Sequence, residues 1–79
     1  MMISTYDGKR AYNSRYIRSI QLRRRGGGAE MEIVADIDGV RDCVILYQVN
    51  IIEYPDGEDV IRNIYERMLD RLNGDDKNA

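Results

Sequence analysis

The sequence predicts an α+β domain: a three-stranded antiparallel meander with one C-terminal helix packed on one sheet face (β-β-β-α). Alternating apolar residues flank an Asp38-Gly39 turn, and an apolar stripe at helical spacing follows Pro55. A third alternating segment, rich in arginine, precedes Gly26-Gly27-Gly28 and supplies the first strand.

Residues 1–13 show no clear period. Asp7-Gly8 marks a turn, and Tyr6 and Tyr12 are the large apolar groups, so a flexible N-terminal arm is expected, or a short strand docked by its tyrosines. The domain proper is expected over residues 14–74. From Arg15 to Arg25, Tyr16, Arg18, Ile20 and Leu22 lie on one side of a strand, with Ile17, Ser19, Gln21 and Arg23 on the other. The three glycines then predict a flexible or positive-φ connection.

Residues 30–47 read as a hairpin about a type I′ turn at Asp38-Gly39. Counting from that turn pairs Ile37 with Val40, Ala35 with Asp42, Ile33 with Val44 and Met31 with Leu46. On the opposite face it pairs Asp36 with Arg41, Val34 with Cys43 and Glu32 with Ile45. The β-branched run through Tyr54 lets the third strand run long, or bulge near Asn50 and continue as an edge, until Pro55 stops it. Asp56 suits an N-cap, and Glu58 and Asp59 complement the positive end of a helix dipole. Val60, Ile61, Ile64, Tyr65, Met68, Leu69 and Leu72 form the buried stripe, and Asn73-Gly74 the expected C-cap. Residues 75–79 read as a frayed tail.

This arrangement sets Ile20, Leu22, Met31, Ile33, Ala35, Ile37, Val44 and Leu46 under the helix. It leaves Val34, Cys43, Ile45, Tyr47 and Val49 on the other face, too apolar for water alone. A second copy of the chain, the N-terminal arm with Tyr6 and Tyr12, or a partner molecule would cover it; a homodimer is the first expectation, because a 79-residue chain gains much from a shared core. The 43% hydrophobic content excludes a disordered chain. The single Cys43 excludes an internal disulfide and reads as a small strand hydrophobe, as in a reducing compartment. No apolar run is long enough for a membrane span and residues 1–12 lack a signal-like core, so a cytoplasmic protein without membrane contact is expected.

Net charge is −2, but residues 1–25 hold seven basic and one acidic side chain, while the remainder holds five basic and thirteen acidic. Such asymmetry speaks about partners more than about fold. Arg15, Arg18, Arg23, Arg24 and Arg25, with Tyr16 among them, form a basic strand ending in unobstructed glycine amides. That combination suits contact with nucleic-acid phosphates. A solvated hairpin tip, its guanidiniums paired with the chain's own carboxylates, explains the same residues. The triplet is not a Walker motif, since Gly-Lys-Ser/Thr is missing.

Asp36, Asp38 and Asp42 fail the calcium-loop pattern, so no metal and no cofactor is expected. There are no histidines, and no serine or cysteine has an activating neighbour in the sequence, so the chain reads as non-catalytic. The acidic surface offers a second function. Carboxylates from Asp36 to Asp76 are spaced to face a basic partner, as in an inhibitor that imitates nucleic acid, or an assembly subunit. In size and layout the chain is similar to small β-β-β-α inhibitors of CRISPR effectors carried by phages and other mobile elements. Its sheet-plus-helix topology resembles the DNA-binding domains of some integrases.

Overall fold

A computed structural model describes the backbone of residues 2–78 and the side chains of residues 2–74. Strands β1 (Met2–Ser4) and β2 (Ala11–Asn13) form a small hairpin, and a single 3₁₀ turn over Ser14–Tyr16 leads into β3 (Ile17–Arg25). Strands β4 (Glu30–Ile37) and β5 (Val44–Asn50) complete an antiparallel sheet of order β3-β4-β5, and helix α1 spans Gly57–Asn78. The fold is thus the predicted α+β meander and helix, with an added two-stranded sheet.

Where an arm was expected, Met2 pairs with Asn13 and Ser4 with Ala11. Ile3 and Tyr12 of this hairpin pack against the core, and the Tyr6 N–H donates to the Ile45 carbonyl at 2.9 Å on the outer edge of β5. The first strand of the main sheet begins at Ile17 rather than Arg15, with a bulge between Ile17 and Ser19. That bulge takes Arg18 off the expected core face and leaves it exposed beside Asp38.

The β4–β5 register corrects the expected one twice. Asp38 has negative φ, so the turn is not type I′; Gly39 alone in it is left-handed, at φ +81°, and the Val40 N–H closes the turn onto the Ile37 carbonyl. Asp38 is held outside the ladder, its N–H on the Tyr16 carbonyl at 2.7 Å and its carboxylate on Arg18. The connection then runs through Cys43, and Ala35 pairs with Val44 rather than Asp42. A slip of two keeps the faces and spares the core a carboxylate opposite Ala35. A bulge at Leu46 adds one more residue, so Ile33 meets Tyr47, Glu32 meets Gln48 and Met31 meets Val49. The bulge lies four residues before the expected position at Asn50, and it exchanges a Glu32–Ile45 pair for a polar one.

The core consists of Ile20, Met31, Ile33, Ala35, Ile37 and Leu46 beneath Ile61 of α1. Tyr65 adds a hydroxyl donated to the Ile20 carbonyl. Gly57 lies buried where the helix begins, and a Cβ there would stand 2.6 Å from a methyl of Val49. Asn73-Gly74 does not end the helix, which continues to Asn78. Gly26, Gly27 and Gly28 all take positive φ in the short turn between β3 and β4, a run that residues with a Cβ would resist.

Candidate functional site

The arginines of the basic strand are brought together in sequence and parted in space. Strand alternation sends Arg23 and Arg25 to the face opposite the helix and Arg24 to the helix side. Arg23 Nε bonds Glu32 Oε1 at 2.6 Å, and Arg25 Nη1 stands 3.5 Å from Glu32 Oε2. Arg24 Nη2 bonds Glu58 Oε1 at 2.6 Å, an oxygen that Arg62 also approaches at 3.6 Å. Arg18 Nη2 bonds Asp38 Oδ1 at 2.5 Å. This contact holds the Asp38 carboxyl below the usual carboxylate range and raises the Arg18 guanidinium. Arg15 lies over the exposed Tyr16 ring, 6.0 Å from its centroid, in a cation–π contact.

Glu32 is unusual among these partners. It is 1% exposed on a sheet face that carries no helix, between Arg23 and Gln48 on the neighbouring strands. Its Oε2 has no hydrogen bond, so Arg25 compensates it by charge at a distance. Arg23 and Arg25 therefore have a structural task that a phosphate ligand would have to displace.

The expected partner face is also rearranged. Val34 is 2% exposed within the single chain, flanked by Gln21 and Ile45. Tyr47 and Val49 pack with the core on the helix side. Cys43 is exposed, and with Ile45 it lines a cleft of about 540 Å³ between β5 and the N-terminal hairpin. Lys9, Arg10, Tyr6 and Tyr12 form the opposite wall. Tyr6 and Tyr12 are one of the covers the sequence offers for this face, and they stand opposite Cys43 and Ile45; Lys9 and Arg10 could not be placed there, because residues 1–13 offer no period.

A second surface also escaped the sequence reading. Between β5 and α1 the chain folds into tight turns, with Tyr54 N–H on the Asn50 carbonyl, Gly57 N–H on the Tyr54 carbonyl, and the Asn50 side chain accepting from Ile52 and Glu53. This holds Ile52 at 74%, Tyr54 at 62% and Val60 at 46% exposure. Glu53, Asp56 and Asp59 lie among them, without ion-pair partners among the described residues. Ile52 and Tyr54 read as a strand continuation, which hid their exposure. A shallow cleft of about 470 Å³, lined by Tyr54, Glu53, Glu30, Tyr47 and Tyr6, adjoins them.

No cluster of three potential metal ligands occurs among the described residues, and no helix among them is long and apolar enough to cross a membrane. No family model, curated protein or solved structure matches the chain.

Proposed function

We propose that this chain is a small non-catalytic binding protein acting by contact with another protein, through residues 52–60. The supporting observation is the display of Ile52, Tyr54 and Val60 among the carboxylates of Glu53, Asp56 and Asp59, which have no ion-pair partner among the described residues. Large apolar side chains held in water by well-bonded turns, with a polar rim, are a common form of protein-contact surface, and tyrosine is favoured at such contacts. The acidic rim selects a basic partner. An inhibitor and an assembly subunit are both roles of this kind.

A photo-crosslinking residue at position 54, with position 67 as control, identifies the partner in producing cells. The purified partner is then titrated with wild type and with the Ile52→Asp, Tyr54→Ala variant. Affinity is expected to fall by about two orders of magnitude, the cost of two contact residues at about 1–2 kcal/mol each. Equal affinity for the variant overturns the reading.

One observation favours nucleic-acid phosphates as a second ligand class. The side chains of Arg23, Arg24 and Arg25 remain 48%, 53% and 57% exposed beside the glycine turn. Ion pairs at exposed sites are worth about 0–1 kcal/mol, so a phosphate could displace Glu58 from Arg24. A salt-dependent titration with DNA and RNA tests this; loss of binding on Arg24→Ala supports it, and no binding at low salt sinks it.

A further inference from the structure

We propose that the cleft between the N-terminal hairpin and β5 binds a nucleoside phosphate, with Lys9 and Arg10 taking the phosphate and Tyr6 and Tyr12 beside the base. The site shares Tyr6 and Gln48 with the shallow cleft beside residues 52–60 but contains none of those residues and none of the Arg23–Arg25 tip, and it depends on neither reading.

Charge is the first consideration. Arg18, Arg23, Arg24, Arg25 and Arg62 all face carboxylates, whereas Lys9 and Arg10, like Arg15, Arg41, Arg67 and Arg71, make no ion pair among the described residues; of these, Lys9 and Arg10 are the ones that line the cleft. Asp7 also lines the cleft and remains ionised, its Oδ1 accepting from the Thr5 hydroxyl at 2.6 Å and from the Lys9 N–H at 3.0 Å. Its one negative charge partly offsets the two cations and leaves the wall net positive. Arg10 is exposed and lines the same cleft as Tyr12, so its guanidinium N–H donors are open to a ligand. Two adjacent cations on one cleft wall suit an anion with several acceptor oxygens.

Shape is the second. The cleft measures about 540 Å³, within the usual range for small-ligand sites. Val44 and Ile45 give it an aliphatic floor, Tyr6 and Tyr12 add aromatic surface, and Gln48 contributes one amide able to donate and accept. Tyr6 meets Tyr47 edge-on, with centroids 6.0 Å apart and planes at 84°, an arrangement that does not cover both ring faces. A flat heterocycle bearing a phosphate uses the cations and the ring surface together; bare phosphate or an uncharged ring uses only half of the site.

Preorganisation is the third. The tip from Thr5 to Arg10 is closed by Thr5 N–H on the Arg10 carbonyl at 2.9 Å and Gly8 N–H on the Thr5 carbonyl at 2.9 Å. The Thr5 hydroxyl is also within 3.3 Å of the Arg10 N–H. The bond from Tyr6 N–H to Ile45 then fastens the tip to β5, so little ordering remains to be done on binding.

The test is a backbone-amide NMR titration of the whole chain with AMP, tetra-adenylate, adenosine and inorganic phosphate. Saturable shifts at Tyr6, Lys9, Arg10, Ile45 and Gln48 are expected with AMP, weaker with adenosine or phosphate alone. A Lys9→Ala, Arg10→Ala variant should lose roughly tenfold or more in affinity, the scale of one or two charge-assisted contacts, with unchanged shifts elsewhere. Tetra-adenylate binding far more tightly than AMP identifies a single strand as the source of the nucleotide; equal affinity identifies the free nucleotide. No saturable shift with either nucleotide probe, shifts centred on Arg23–Arg25, or equal affinity for phosphate and AMP overturns the proposal.

Discussion

Glu32 shows how much of this molecule depends on single side chains whose partners are far apart in sequence. Its carboxylate is buried, while its Arg23 partner is half exposed. Arg23→Ala should therefore destabilise the fold by about 1–3 kcal/mol, chiefly by leaving a buried oxygen unpaired. Arg24→Ala, which frees only the partly exposed Glu58, should cost below about 1 kcal/mol. Urea denaturation of the two variants decides the matter; equal losses would mean that Glu32 is solvated when Arg23 is gone. Asp38 makes a different prediction. Arg18 lowers its folded-state pKa below the usual 3.8, so its stabilising contribution is present above that value and disappears as pH falls through the lower folded value. Carboxylate NMR should show Asp38 ionised throughout neutral and mildly acidic pH, titrating later than usual, with ordinary titration restored in Arg18→Ala. The cluster of arginines was legible in the sequence because it is contiguous. Its partners were not, since Asp38, Glu32 and Glu58 reach those arginines only through strand register and helix placement.

Helix α1 and strand β5 meet at a contact tight enough to be tested by one methyl group. Gly57→Ala would ordinarily favour a helix by about 1 kcal/mol. Here the new Cβ would stand 2.6 Å from Val49 Cγ2, and a β-branched side chain cannot turn away freely. A net loss of about 1–2 kcal/mol is expected, disappearing in a Val49→Ala background, where the double-mutant cycle isolates the overlap. A gain in stability from Gly57→Ala alone would show that the helix start shifts without cost. Gly74 behaves oppositely: it lies within the helix, and nothing stands within 4 Å of the position a Cβ would occupy. Gly74→Ala should raise stability by about 0.5–1 kcal/mol, read by thermal denaturation; destabilisation would restore it as a cap. The helix and the paired strands were legible from period alone. Register was not, because the Asp38-Gly39 pattern is only a local preference, and bonds from Asp38 to Tyr16 and Arg18 pull it out of the tight turn. The bulge at Leu46 carries no marker residue, yet it decides that Tyr47 and Val49 join the core.

The opposite charges of the two portions of the chain meet within one fold. Each ion pair of Arg18, Arg23, Arg24 and Arg25 joins the basic first 25 residues to the acidic remainder. An asymmetry that reads in sequence as an offer to a polyanion is thus largely met inside the molecule. The same folding bears on self-association. A dimer was expected to cover Val34, Cys43, Ile45, Tyr47 and Val49, but Val34 is already buried, Tyr47 and Val49 pack with the core, and Cys43 and Ile45 line a cleft. The free edge at β3 carries Arg18, Arg23, Arg24 and Arg25, and charges along an edge strand oppose pairing with a second copy. At the other edge, Tyr6 of the N-terminal hairpin occupies the Ile45 carbonyl. Sedimentation equilibrium at tens of micromolar should therefore return the mass of one chain, 9.2 kDa. If it returns twice that mass, the exposed surface around Ile52 and Tyr54 becomes the first candidate for the contact. Ile52→Asp should then restore the single-chain mass, which would turn the proposed protein partner into a second copy of this chain.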